Sequence, residues 1–306
     1  MTNTSKTILF FGTEDFSAYT LEALIEAGFH IGAIITKPDT RRGRGKKLVT
    51  PRVKEIGLAH NIPVWQPTKL ADIAADIATF DQPTGVLVSF GKIIPQSIID
   101  LFTPGIVNLH PSLLPLYRGP SPIESAILHG DNETGVSIMQ LSAKMDAGPV
   151  YLQETTPLIG TETAPELYES LGKRGAELLI AALPQILDNT LPAVPQDDTR
   201  ASYCQLIQKH DGTIDWHKSA DQIAREVRAY TPWPGSRTTL GGVDLQVVDC
   251  TSNDTAPGAQ PGALHISHDR LFVAAGKGEV EIIALKPAGK KEMPARAFLA
   301  GYRNKL

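Results

Sequence analysis

Residues 105–123 read GIVNLHPSLLPLYRGPSPI and carry the clearest structural signal in the chain. A short apolar run opens this segment and ends in polar residues and prolines, which predicts a buried β-strand followed by a turn. Asn108 and His110 are two residues apart, so on an extended strand their side chains share one face. Ligands of open parallel sheets bind outside the carboxyl ends of the strands. We therefore expect both side chains at a ligand site.

Short apolar runs alternate with helix-period segments on the amino-terminal side of this strand. TILFFG (7–12) predicts the first strand, and Thr13 and Asp15 are expected to cap the helix that follows it. HIGAIIT (30–36) and PTGVLVSFG (83–91) predict further strands. Strands that alternate with helices in this way imply βαβ units with right-handed crossovers. The fold class predicted here is α/β, a Rossmann-like doubly wound parallel sheet.

The pattern changes at DNTLPAVPQDDTRAS (188–202), which is rich in Pro, Asp and Thr and is typical of a linker. One helical stretch, residues 219–230, follows, and then several short β-like runs with Gly and Asp turns. That spacing predicts a smaller β-barrel or sandwich. We thus expect a catalytic domain over 1–189, a linker over 190–206 and a carboxyl-terminal β domain over 207–306.

The composition narrows the class of protein. With 306 residues, 42% of them hydrophobic and 20% charged, the chain can bury a core and is neither disordered nor collagen-like. The longest apolar runs fall far short of the roughly 18–20 residues that a membrane span needs. The first residues lack the features of a signal peptide. Two cysteines build neither a disulfide framework nor a zinc site. The expected setting is the cytoplasm, with no metal.

The formal net charge of −4 hides an uneven distribution of charge. Residues 37–54, KPDTRRGRGKKLVTPRVK, hold eight basic residues against the single acid Asp39. Residues 286–306 hold six basic residues against Glu292 alone. Such zones on an acidic body suit a polyanion. Charge runs are also common as solvated surface loops, so charge alone leaves both interpretations open.

Three polar residues suggest a chemistry. Asn108 offers a neutral amide donor and His110 titrates near neutrality, a pair that suits oxyanion stabilisation and proton handling. Asp146, in the turn-like segment LSAKMDAGPV (141–150), would favour and orient a nearby imidazolium. Each of them alone is more often structural: a satisfied strand-end histidine, a turn asparagine or a turn aspartate. No G-x-G-x-x-G, P-loop or G-x-S-x-G motif is present, and covalent catalysis is not indicated.

NLHPSLLPLYRGPSPI (108–123) and MDAGPV (145–150) together resemble the formyltransferase family that uses 10-formyltetrahydrofolate. FFGTEDF (10–16) is similar to that family's strand-to-helix opening. The basic segment 37–54 and IDWHKSADQIAREVRAYTPWPGS (214–236) resemble the members that formylate initiator methionyl-tRNA in bacteria. The resemblance covers nearly the whole chain and implies formyl transfer to the α-amino group of that tRNA. It also implies an OB-like second domain, and no stable protein partner or membrane association is indicated.

The resemblance carries roles onto particular residues. It implies that Asn108, His110 and Asp146 are catalytic. The folate co-substrate would be bound by the SLLP segment, which comprises Ser112, Leu113, Leu114 and Pro115. The tRNA would be bound by a set of cations, namely Arg42, Arg44, Lys46, Lys47 and Lys209.

Other functions remain open from the residues. A formyltransferase acting on an amino-sugar nucleotide is the strongest alternative, because it can also carry a β-rich second domain, although the basic segment is then harder to explain. A glycinamide-ribonucleotide formyltransferase would need neither the basic segment nor the second domain. A formyltetrahydrofolate hydrolase has no use for a polyanion site. A non-catalytic RNA-binding module would keep the basic zones but does not account for Asn108, His110 and Asp146.

Overall fold

The structure is a computed structural model that describes residues 6–42, 47–254 and 258–305. The strands are β1 (Ile8–Gly12), β2 (Ile31–Ile35), β3 (Thr40–Arg42), β4 (Lys47–Val49), β5 (Val64–Trp65), β6 (Thr84–Val88), β7 (Ile106–His110), β8 (Glu133–Gln140), β9 (Val150–Pro157), β10 (Ser236–Leu240), β11 (Val243–Asn253), β12 (Leu264–Ser267), β13 (Arg270–Ala274), β14 (Glu279–Pro287) and β15 (Met293–Pro294). The α-helices are α1 (Phe16–Glu26), α2 (Arg52–Ala59), α3 (Ala74–Ile77), α4 (Gln96–Ile99), α5 (Pro122–His129), α6 (Ala164–Leu187), α7 (Ala220–Ala229) and α8 (Ala295–Tyr302).

The chain forms two compact units. The first contains the chain up to Pro122 together with Glu133–Thr156 and Tyr168–Cys204. The second contains Ile123–Asn132, Pro157–Leu167 and the chain from Gln205 onward. The two units interleave along the sequence, and the predicted domain limits 1–189, 190–206 and 207–306 stay a prediction.

A seven-stranded sheet with the order β5-β2-β1-β6-β7-β8-β9 is the centre of the first unit. Its first five strands in this order pair in parallel, and β8 joins β7 in the antiparallel direction. The chain winds outward from β1 through β2 to β5 and then returns to β6 on the other side of β1. The strand order therefore reverses between β1 and β6, which is where doubly wound sheets bind ligands.

The sequences of the central strands explain why they are buried. Every residue of β1, β6 and β7 is buried, and Val, Ile, Leu and Phe predominate in them, as expected for parallel strands covered on both faces. Phe11 packs edge-to-face against Phe90 and Phe102, with ring centroids 5.5 and 5.7 Å apart. This core fixes the strand ends from which the polar residues project.

The second unit contains an antiparallel sheet with the order β10-β11-β14-β13-β12, and β15 pairs with β14. Helix α7 packs against β11 and β14, and α8 packs against β13 and β14. Ile223, Val227 and Phe298 are buried in the resulting core. The predicted fold class, a parallel α/β sheet followed by a smaller β domain, is confirmed.

The basic segment contains regular structure that the sequence did not indicate. Strands β3 and β4 form an antiparallel pair in which Arg42 lies opposite Lys47. The β-branched residues Thr40 and Val49 in these strands favour extended backbone. Residues 43–46 lie outside the described residues.

No helix in the described ranges is long and apolar enough to cross a membrane. In the same ranges, no group of three or more His, Cys, Asp and Glu side chains is arranged to hold a metal ion. Burial raises the pKa of the Cys250 thiol to about 12, so this cysteine is a thiol rather than a nucleophilic thiolate near neutral pH.

Candidate active site

Strand β7 brings Asn108 and His110 to the carboxyl edge of the sheet. Asn108 lies opposite Leu87 of β6 and Met139 of β8, and His110 lies opposite Ser137. The two residues are only 4% and 5% exposed. Buried polar side chains at a strand end need partners or a function, since desolvating them costs free energy.

One ring nitrogen of His110 already forms a hydrogen bond within the protein. Its Nε2 lies 2.9 Å from the carbonyl oxygen of Tyr117. A carbonyl only accepts, so Nε2 carries a hydrogen and donates it. Its Nδ1 lies 3.8 Å from Oδ2 of Asp146. Nδ1 is therefore the atom of this imidazole that is left to gain or lose a proton.

Asp146 lies in the turn between β8 and β9, in the same unit as His110. Its φ of +48° is in the left-handed region, which costs about 1–3 kcal/mol for such a residue and persists only where the surroundings enforce it. The backbone N–H of Gly119 donates to Oδ2 of Asp146 at 2.8 Å. Gly148 allows the turn to pass close to β8, because a Cβ there would lie 1.8 Å from the carbonyl oxygen of Gln140.

The side-chain amide of Asn108 has no hydrogen-bond partner within residues 6–42, 47–254 and 258–305. Its strand neighbours Leu87 and Met139 are apolar and cannot satisfy it. The amide nitrogen and oxygen are not among the fully buried side-chain atoms that lack a partner, so they keep some access from outside the protein. This amide is thus available to donate to a substrate oxygen.

The SLLP segment directly follows β7 and is held by a small hydrogen-bond network. Ser112 Oγ donates to the Leu116 carbonyl at 2.6 Å, and Leu114 N donates to Ser137 Oγ at 3.1 Å. Gln153 Nε2 donates to the Leu114 carbonyl at 2.8 Å. The Leu114–Pro115 peptide bond is cis.

The four residues of this segment differ in exposure. Ser112 and Leu114 are buried, while Leu113 and Pro115 are half-buried. A contact with a ligand can therefore come from the Leu113 and Pro115 side chains and from the backbone. The Ser112 hydroxyl already donates its hydrogen within the loop.

The carboxyl end of β6 lies beside that of β1. Ser89, which follows β6, has a φ of +45°, and its carbonyl accepts from Glu14 N at 3.3 Å. Thr13 Oγ1 donates to the Phe90 carbonyl at 3.1 Å. Lys92 Nζ donates to the Pro67 and Thr68 carbonyls at 3.0 and 3.2 Å, so its charge is directed to backbone oxygens.

The structure describes only part of the set of cations that the family resemblance assigns to tRNA binding. Arg44 and Lys46 lie outside the described residues. Arg42 and Lys47 are described only through the backbone pairing of β3 with β4. Lys209 begins a short 3₁₀ helix, Lys209–Gly212, in the second unit, and its side chain is exposed.

Two residues near Asp146 received no role from the sequence. Arg118 is only 2% exposed, and its guanidinium donates to Gln196, Asp198 and Tyr203. Burial opposes its charge, but the hydrogen bonds that it donates to Asp198 and Tyr203 outweigh that effect and raise the pKa of Arg118. Gln196 in turn contacts the backbone of the Asp146 turn. The sequence feature that could have drawn attention to Arg118 is an arginine within a turn-forming segment that has no acidic residue close to it in sequence.

This sheet, with polar residues at the carboxyl ends of β6 and β7, is the architecture of a known class of group-transfer enzymes. The chain belongs to the formyl transferase family: residues 6–183 match the family's formyl transferase domain and residues 206–303 its carboxyl-terminal domain.

Relatives within that family are similar over almost their whole length. The methionyl-tRNA formyltransferase of Moorella thermoacetica is 38% identical over 96% of both chains. That of Geobacter metallireducens is 39% identical over 97% of this chain and 96% of its own. The crystal structure of an N-formyltransferase from Helicobacter canadensis, in complex with folinic acid and dTDP-3-aminofucose, shares the fold with a TM-score of 0.69 at 19% identity, covering 92% of this chain and 99% of that one.

Proposed function

We propose that the protein transfers the formyl group of 10-formyltetrahydrofolate to the α-amino group of methionyl initiator tRNA. The observation that carries this proposal is the approach of His110 Nδ1 to Asp146 Oδ2, at 3.8 Å. His110 lies on strand β7, which also presents the Asn108 amide that has no partner among the described residues. Family membership and the similarity to methionyl-tRNA formyltransferases support it. The reaction belongs to bacterial translation initiation, so we expect the protein to act in the cytoplasm.

The acceptor amine needs little activation. A free α-amino group has a pKa of about 7.7–8.0, and the ester of an aminoacyl-tRNA lowers it, so a neutral fraction exists near pH 7. The neutral nitrogen forms a bond to the formyl carbon, the bond from that carbon to N10 of the folate breaks, and the proton lost by the amine ends on N10. Positioning and charge stabilisation are the tasks left to the protein.

Each polar residue has a separate task in this mechanism. The Asn108 amide donates a hydrogen bond to the formyl oxygen as negative charge develops there. His110 holds a proton on Nδ1, with Nε2 anchored on Tyr117, and Asp146 stabilises the resulting imidazolium. Asp146 also carries protons from the amine toward N10. Its 3.8 Å separation from Nδ1 is longer than a hydrogen bond, and such contacts commonly tighten around a substrate.

The residues near β7 suit the folate co-substrate. Leu113 and Pro115 offer apolar, partly exposed surface on a loop that Ser137 and Gln153 hold in place. Preformed apolar sites with a few fixed polar groups are typical of small-molecule sites. The bound folate supplies the formyl carbon. We therefore propose Ser112, Leu113, Leu114 and Pro115 as its binding segment.

A direct assay tests the function. The protein is incubated with 10-formyltetrahydrofolate and, in separate reactions, methionyl initiator tRNA, glycinamide ribonucleotide or an amino-sugar nucleotide. Formylation is measured by mass spectrometry of each acceptor. We expect formyl-methionine only after the tRNA reaction. Formylation of the amino sugar without formylation of the tRNA would establish the alternative function instead.

Arg44→Ala is expected to lower kcat/KM for charged tRNA while leaving the KM for the folate unchanged. Each contact of a lysine or arginine with a duplex phosphate steepens the slope of log affinity against log salt concentration by about 0.9. The variant should therefore show a correspondingly shallower dependence of kcat/KM on salt concentration. We propose that Arg42, Lys46, Lys47 and Lys209 contribute to the same tRNA contacts.

Lys173→Ala is the matched control for Arg44→Ala. It removes one positive charge from an exposed position of α6 that pairs with Glu169 at 2.6 Å, outside both basic zones. Its kcat/KM and salt dependence should equal those of the wild type. Equal values for Arg44→Ala and wild type would exclude this role for the basic segment.

A further inference from the structure

Asp146 is held from two directions. Its carboxylate accepts the Gly119 N–H at 2.8 Å. Its backbone carbonyl accepts from Gln196 Nε2 at 2.8 Å, and the same nitrogen donates to the Gly148 carbonyl at 2.7 Å. Because Asp146 has a positive φ, the turn needs outside contacts of this kind to keep its conformation.

Arg118 fixes the orientation of the Gln196 amide. Its Nε and Nη2 donate to Gln196 Oε1 at 3.1 and 2.9 Å. An oxygen that receives two N–H groups leaves the NH₂ group of the amide facing the Asp146 turn. Arg118 also follows Tyr117 and precedes Gly119, which contact His110 and Asp146 respectively. The two contacts that hold Asp146 therefore converge on one short segment.

We propose that Gln196 is a positioning residue for Asp146 in formyl transfer. It fixes the turn so that Asp146 Oδ2 faces His110 Nδ1, and it does so from a segment 50 residues away in sequence. The proposal rests on the proposed function, because it assumes that the Asp146 carboxylate takes part in that reaction. Gln196 itself contacts no reacting atom.

Gln196→Glu tests this role. The variant keeps the side-chain length and an oxygen for Arg118, but it loses both N–H donors and turns a carboxylate toward two carbonyls. A misplacement of about 1 Å at a reacting group can cost around 10²-fold, so we expect kcat to fall roughly 10- to 100-fold. The KM values for folate and charged tRNA should not change. Gln196→Met, which has a similar length and no charge, should show the same kcat loss, and thermal unfolding identifies a variant that fails to fold.

Asp198→Asn is the matched control. Asp198 also contacts Arg118, at 2.7 Å, but its side chain is 74% exposed and it has no contact with Asp146 among the described residues. Asparagine keeps an oxygen at this position that can still accept the hydrogen bond from Arg118, so kcat should stay within about twofold of wild type. Amide hydrogen exchange gives a second measurement. The Gly119 N–H should exchange faster in Gln196→Glu and Gln196→Met than in Asp198→Asn or the wild type.

The outcomes separate the positioning role from the function itself. Failure of the wild type to formylate tRNA would count against the proposed function only. With an active wild type, unchanged kcat in both folded Gln196 variants would overturn the positioning role. An equal kcat loss in Asp198→Asn would overturn it too, since the effect would then arise from Arg118. A kcat loss with unchanged Gly119 exchange would also overturn it.

Discussion

Asn108→Ala is expected to lower kcat by about 10²–10³-fold, the usual loss for one oxyanion donor. The KM for charged tRNA should stay close to the wild-type value, because in the proposed mechanism the amide acts on the formyl oxygen rather than on the tRNA. Single-turnover formylation with saturating substrates measures the effect on the chemical step. The loss has a physical reason in the structure: Asn108 is 4% exposed as a residue, and within the described residues its side-chain amide has no hydrogen-bond partner and is left to donate to a ligand.

The stability of this variant should change little through hydrogen bonding, since the truncated amide gives up no protein partner. Asn108→Asp is a useful companion, because it keeps the size of the side chain, removes the N–H donor and directs negative charge at the developing oxyanion. It should be at least as impaired as Asn108→Ala. Asn132→Ala, at an exposed position, should behave as wild type. Near-normal turnover in Asn108→Ala would reject the role of the amide.

Part of this site followed from the sequence because it depends on local geometry. The two-residue spacing of Asn108 and His110 and the prolines after them predict a strand end with both side chains on one face. Strand β7 has this form and ends at His110. The alternation of apolar runs and helices likewise predicted the parallel sheet, because a βαβ unit permits few other arrangements.

The meeting of His110 with Asp146 could not be derived from periodicity. It requires β8 to join β7 in the antiparallel direction and the following turn to return to the edge of the sheet. Nothing in the local sequence sets that path. The contact of Arg118 with Gln196 spans 78 residues and is still less visible, since a surface arginine and a linker glutamine are the default interpretation of both.

One local prediction was met only in part. Thr13 and Asp15 were the residues that could cap α1, and Asp15 occupies the N-cap position but makes no side-chain hydrogen bond there. The Thr13 hydroxyl instead donates to the carbonyl of Phe90, 77 residues away. A residue that favours a local cap can thus be used in a tertiary contact when two strand ends lie side by side.

Asp146→Asn is expected to lower kcat by about 10²–10⁴-fold, the range for the loss of a positioned acid–base group. The substitution preserves the shape of the side chain, and an amide oxygen can still accept the Gly119 N–H. What it removes is the negative charge that faces His110 Nδ1. The imidazolium then loses its counter-charge, and the route for protons from the amine to N10 is interrupted. Single-turnover formylation and thermal unfolding, measured side by side, test the variant.

Asp100→Asn provides the matched control, because Asp100 is an exposed acid of the same unit that pairs only locally, with Gln96 at 2.7 Å, in the described structure. It should retain wild-type kcat and the same unfolding temperature. If Asp146→Asn is folded and equally active, then Asp146 serves only to shape its turn, and the carboxylate has no part in proton transfer. If it is folded and inactive, the defect lies in the lost carboxylate, its charge and its ability to take up a proton, since the isostere keeps the shape of the side chain and can still accept the Gly119 N–H.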